Sequence, residues 1–164
     1  MLYGDGADQY NRVYDYAHAV RKHNPGSSAL VKVLPGIERP IFQSMFICLK
    51  PVLDGFVAGC RPIIGMDGCH LTGAYPGICL TAVGKDGNNN IYPLAWAVVD
   101  VEDFQTWSWF LTNLKECMGT NDGKGYTFMS DRQKVVLPHT SVTFFLYMNF
   151  NYTYHVSIVF YRVL

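Results

Sequence analysis

Between Pro62 and Val99 the chain repeats one pattern three times: a short β-prone apolar run, then a turn. The runs are residues 63–71, 78–83 and 91–99. Pro76-Gly77 and Gly84 bound the second, and Lys85-Asp-Gly-Asn-Asn-Asn90 makes a tight polar turn before the third. Runs of this length, rich in Ile, Val and aromatic residues and closed by Gly, Pro and Asn, read as strands. Turns this short join antiparallel neighbours, so the three runs predict a meander. The first run carries an acid, Asp67, among Ile63, Ile64 and Met66. A carboxylate inside a buried strand is costly to desolvate unless it pairs or binds a cation. The segment Tyr126-Thr-Phe-Met-Ser-Asp131 has the same design and delivers an acid at its end. Two strands that each present one Asp suggest a shared cation. Two strand-end aspartates that cap turns would give the same spacing.

The flanking segments supply helices. Between the third run and Tyr126, Phe104, Trp107, Phe110, Leu111, Leu114 and Met118 recur at three- and four-residue steps, which predicts a helix over 103–118. Asp103 is positioned to cap its start and Gly119 to end it. A helix between 91–99 and 126–130 is a crossover, so the last strand is expected to run parallel to the first. Upstream, Tyr10, Val13, Tyr14, Ala17 and Val20 fit one helical face, with Asp8 as its cap and Asn24-Pro25-Gly26 as its stop. Residues 29–34 read as a strand ended by Pro35-Gly36. Ile41, Phe42, Met45, Phe46 and Leu49 again fit a helical face, which Pro51 would close.

Composition excludes several classes. The 164 residues are 49% hydrophobic and only 16% charged, so the chain is not disordered by composition and fits one domain with a real core. Formal net charge is zero, against the basic excess of a stand-alone DNA binder. The five cysteines form no Cys-x-x-Cys pair, and residues 1–9 are polar and acidic rather than a secretory leader. Reduced thiols in an intracellular, non-secreted protein are expected. Cys69-His70 beside Asp67 lacks the two further spaced ligands of a zinc site. Gly-x-Gly at 123–125 lacks the rest of a nucleotide fingerprint. Alternation along a strand puts His70 on the face opposite Asp67. Residues 141–164 hold eight aromatics and no Gly, Pro, Asp, Glu or Lys. Asn149, Asn151, Thr153 and His155 break that apolar run and make a membrane span a poor reading. Strands, or exposed apolar surface, are expected there instead.

Gly65-Met-Asp-Gly-Cys-His-Leu71, Leu80-Thr-Ala-Val-Gly84, Tyr92-Pro-Leu-Ala95, Trp107-Ser-Trp-Phe110 and Ser130-Asp-Arg-Gln133 occur in that order. Together they resemble the catalytic core of plant Mutator-like (MULE/MuDR) transposases, and Phe46-Ile-Cys-Leu-Lys50 and the segment 54–62 resemble what precedes that core. The resemblance runs from about Gln9 to Lys134. It implies an α/β, ribonuclease-H-like mixed sheet, a three-strand antiparallel meander plus a parallel strand with flanking helices, whose C-terminal part is incomplete. It divides the chain into a helical lead-in (1–60), a partial transposase core (61–134) and a divergent aromatic-rich tail (135–164). It implies DDE-type cleavage and transfer of DNA strands in the nucleus. Asp67 matches the first acid and Asp131 the second, and both are the expected ligands of Mg2+ or Mn2+. Arg132 and Lys134 are weak candidates for phosphate contact. The implied partner is transposon-end DNA, bound weakly by this chain; an oligomer is compatible, and no membrane or small-molecule cofactor is implied. From Arg132 to Leu164 there is no Asp and no Glu, so the family's third acid is missing. The leading expectation is an inactive transposase fragment. The alternatives are a non-enzymatic interaction module and a nuclease that uses Asp100 or Glu102 instead.

Overall fold

The computed structural model describes residues 10–36, 40–120, 125–130 and, for backbone pairing, 159–162. In chain order the elements are α1 (Val13–His23), β1 (Ser28–Leu34), β2 (Ile41–Cys48), α2 (Lys50–Gly59), β3 (Cys60–Leu71), β4 (Gly77–Asp86), β5 (Ile91–Val99), α3 (Phe104–Met118), β6 (Thr127–Ser130) and β7 (Val159–Arg162). Among the described residues the strands form one mixed sheet in the order β1-β2-β5-β4-β3-β6-β7. β3, β4 and β5 are the expected antiparallel meander. After the crossover through α3, β6 pairs parallel with the other edge of β3. β7 then lies antiparallel to β6, so part of the aromatic-rich tail is indeed a strand. The remainder of that tail, residues 135–158 and 163–164, lies outside the described residues.

α3 begins and ends as its sequence requires. The Asp103 carboxylate accepts from the Thr106 backbone N–H at 2.8 Å, while the Asp103 N–H donates to Thr106 Oγ1 at 3.0 Å. This reciprocal cap satisfies donors that have no partner within the helix. Asp103→Ala is expected to lower stability by about 1 kcal/mol, measured by urea unfolding; no change would mean that the cap is not formed. Gly119 ends the helix in the left-handed region, at φ 64°. At the other helix stop, the Asn24 backbone N–H and side-chain amide both bond Val20 O. The expected cap at Asp8 lies outside the described residues.

Residues 41–49 are not a helix. Residues 41–48 form β2, between β1 and β5. Met45 and Ile47 pack with Ala17 of α1 and Ala29, while Phe46 and Cys48 point into the main core. A strand buried on both faces loses the alternation that marks a half-buried one, and its continuous apolar run imitates a helical face. Pro51 does not close a helix either. It stands in the first turn of α2, where its missing N–H costs nothing and its fixed φ suits the start. The segment before β3 therefore contributes two strands to the sheet as well as two helices.

α2 and α3 cover one face of the sheet. Leu53 and Phe56 from α2 and Trp107, Phe110, Leu111 and Leu114 from α3 close over Ile64, Met66, Leu80 and Ala97. Gly84, expected to end a strand, lies within β4 and is required by packing. A Cβ there would come 2.6 Å from Phe56 Cε2. Gly84→Ala is expected to destabilise the fold by roughly 1–3 kcal/mol through overpacking, read from the unfolding midpoint. An unchanged midpoint would place the Phe56 ring elsewhere.

The β4–β5 turn is held by Asp86. Its Oδ1 accepts from the Asn88 and Asn90 N–H groups at 2.8 Å each, and Oδ2 from Asn90 Nδ2 at 2.9 Å. The bonds from Asn90 hold this carboxyl below the usual range, assisted by Asn88 and the Arg61 charge. Such bonds favour the ionised form. A lowered folded pKa adds stability that is complete above the unfolded value and is lost as pH falls through the folded one. The Asn88 and Asn90 amide resonances are therefore expected to titrate together below the normal aspartate range; a midpoint within or above it would contradict this.

Candidate functional site

Asp67 sits on the face of the sheet opposite α2 and α3. Its register partner on β4 is Thr81, Thr81 is opposite Trp96 on β5, Trp96 is opposite Ile47 on β2, and Ile47 is opposite Ala29 on β1. Residues directly opposite one another share a face, so these five side chains form one row across the sheet. α1 covers the β1 end of that row, packing Ala17, Val13 and Val20 with Ala29, Ile47 and Trp96. At the β3 end Asp67 is exposed. The acid expected to need relief from burial is in water, while its neighbours Ile64 and Met66 are buried on the other side.

Two bonds fix the strand at this point. The Gly68 N–H donates to Asp67 Oδ1 at 2.8 Å, and Thr81 Oγ1 donates to Asp67 O at 3.1 Å. The first holds the carboxylate against its own backbone, and the second locks β3 to β4 at the acid. An exposed, oriented carboxylate on a rigid strand supplies the hard oxygen ligands that magnesium or manganese prefers. Among the described residues no group of three or more His, Cys, Asp or Glu side chains is placed to hold a metal ion.

The second acid's strand arrives beside the first. β6 pairs with β3 from Ile63↔Thr127 to Met66↔Ser130. The residues that precede the two candidate acids are therefore register partners. Asp131 itself, with Arg132 and Lys134, lies outside the described residues.

The alternative acids are placed as follows. Asp100 is exposed at the end of β5, and its Oδ1 accepts from the Val101 N–H at 2.9 Å. Glu102 Oε1 accepts from Trp107 Nε1–H at 3.0 Å, and its carboxylate is close enough to Gly68 that a Cβ there would meet it at 3.0 Å. Glu102 thus lies between the start of α3 and the strand that carries Asp67, on the helix-covered face. His70 is opposite Ile78, on that same face, as expected. It is exposed there rather than packed in the core. Sequence reasoning missed Thr81 and the pairing of Cys69 with Cys79. Counting outward from the turn at 72–76 would have found both.

Comparison with protein families bears on this arrangement directly. The model of the MULE transposase domain matches residues 63–154, more than half of the chain. The chain belongs to the MULE transposase domain family. The matched part of the MULE domain begins in β3, includes the positions of Asp67 and Asp131, and continues past Lys134 to residue 154. Family similarity therefore does not stop at the boundary expected from the motifs, and part of the aromatic-rich stretch is within it. No curated protein and no solved structure matches the chain. Among the described residues no helix is long and apolar enough to cross a membrane.

Proposed function

We propose that this MULE domain is part of a DDE-type, ribonuclease-H-like DNA transposase of the plant MuDR kind, with Asp67 and Asp131 as its first two acids. The pairing of Met66 with Ser130 carries the reading. Neighbouring strands lie about 4.8 Å apart and the chain advances about 3.3 Å per residue. Met66 and Ser130, the residues directly before the two acids, are thus neighbours across the sheet. This adjacency supports the proposal that the two carboxylates share a cation. The fold reading is supported by the meander, the crossover through α3 and the parallel return beside β3.

When bound, Mg2+ or Mn2+ would supply activation of a water or 3′-hydroxyl and charge stabilisation at the leaving oxygen. The chain's own residues do the positioning. The Gly68 N–H and Thr81 would hold the strand at Asp67, and Asp131 follows directly on the strand that pairs with β3. Arg132 and Lys134, one and three residues after Asp131, are proposed to contact DNA phosphate weakly. The activity belongs to the nucleus, with transposon ends as partner. The residues after Arg132 contain no acid, so this chain alone is proposed to hold one ion and not to transfer strands.

A second reading, a nuclease that recruits Glu102, is disfavoured because that carboxylate approaches Gly68 from the face opposite Asp67. Manganese titration by calorimetry separates the two. One bound ion, lost in Asp67→Ala and kept in Glu102→Gln, is expected. Loss in Glu102→Gln would favour the second reading, and retention in Asp67→Ala would overturn both.

A further inference from the structure

We propose that Cys69 and Cys79 form a peroxide-responsive dithiol that closes into a cross-strand disulfide beside Asp67. The two residues are register partners on β3 and β4. Directly opposite residues of antiparallel strands have Cα atoms about 4.5 or 5.5 Å apart, and both values lie within the range a disulfide spans. Burial, and after it the neighbouring Cys69 thiol, push the Cys79 thiol up. They share the open face of the sheet with Asp67, because the row Cys69–Cys79–Val98–Met45 runs next to the row that contains the acid. Cys69 is exposed and Cys79 half-buried, so a small oxidant reaches the first sulfur from water.

The other thiol contact has different access. Cys48 touches Cys117 from the end of β2, but Cys48 is buried, with 1% of its surface exposed. Cys60, at the start of β3, is opposite Asp86. Accessibility and a neighbour in register coincide at Cys69.

The chemistry balances with hydrogen peroxide as oxidant. The Cys69 sulfur attacks one peroxide oxygen, the O–O bond breaks, and water leaves as a sulfenic acid forms. The Cys79 sulfur then attacks the Cys69 sulfur, the S–O bond breaks, and a second water departs with the remaining thiol proton. Two electrons pass from the sulfurs to the peroxide. The product ties β3 to β4 two residues beyond Asp67 and two before Thr81. An exposed link of this kind is readily reduced, so the change reverses with thiol reductants. This inference does not depend on Asp67 being a metal ligand.

The test uses the full chain, reduced and then treated with hydrogen peroxide. Titratable thiols are expected to fall from the five present by the two consumed, with the chain still monomolecular. Peptide mapping without reductant is expected to show Cys69 joined to Cys79, and dithiothreitol to restore the starting count. Cys69→Ser and Cys79→Ser should each abolish the linked peptide while native circular dichroism is retained. A Cys48–Cys117 link, covalent dimers through Cys69, or an undiminished thiol count would each overturn the proposal, and all three are readable in the unmutated chain.

Discussion

Phe110→Ala is expected to cost about 3–5 kcal/mol, the range for truncating a buried phenylalanine. Phe110 is fully enclosed, and its ring meets Phe46 and Trp107 edge-on with centroids 5.7 Å away in each case. Phe46 is on β2 and Trp107 on the first turns of α3, so one side chain joins the crossover helix to the centre of the sheet. Its removal leaves a cavity that neither neighbour can fill without leaving its rotamer. Domains of this kind have only about 5–15 kcal/mol in total, so the variant would be near the limit of folding. The midpoint of thermal unfolding should fall by roughly 6–20 °C. Phe110→Leu should recover most of the loss. A cost below about 1 kcal/mol would mean that α3 does not pack on this sheet, because surface substitutions stay near that level or below.

Supercoiled plasmid is expected to remain intact when incubated with this chain and manganese. Strand transfer by two-metal sites requires enough carboxylate charge to hold both ions at a fixed separation. The proposed site has two such groups, Asp67 and Asp131, and residues 132–164 contain no further Asp or Glu. Negative charge that develops on the leaving oxygen then goes unstabilised. Losing one contact of this type costs on the order of 3–4 kcal/mol, or a hundred- to thousandfold in rate. A formal net charge of zero also gives the chain little attraction for the phosphate backbone. Nicking that disappears in Asp67→Ala would show that another acid completes the site. Nicking that persists in that variant would point to a contaminating nuclease.

The meander, α3 and the parallel return were legible because each rests on a local signal. Pro76-Gly77 and the polar run at 85–90 mark the turns, Asp103 and Gly119 mark the helix ends, and a helix between two strands dictates parallel pairing. β2 was not legible. Its run Met45-Phe-Ile-Cys48 is buried on both faces, and period alone does not separate such a strand from a helix. α2 was hidden by Gly55 and Gly59, poor helix formers, and by Pro51, which marks a helix start as readily as a stop. The sequence drew attention to Asp67 for a partly mistaken reason. The acid's place among Ile63, Ile64 and Met66 suggests burial, whereas alternation turns it to the open face. Register was the least legible feature, since it depends on where the turn at 72–76 is centred. It is register that sets Thr81 against Asp67 and Cys79 against Cys69.

The central claim is that Asp67 and Asp131 share one cation. Manganese affinity measured by electron paramagnetic resonance for the chain, Asp67→Asn, Asp131→Asn and the double variant tests it most directly. Two ligands of one ion are coupled, so the losses should not add. Each single substitution is expected to weaken binding by on the order of tenfold or more, equivalent to about 1.4 kcal/mol, and the double variant by little beyond the worse of the two. Losses that sum independently, or an Asp131→Asn chain that binds like the original, would contradict the shared site.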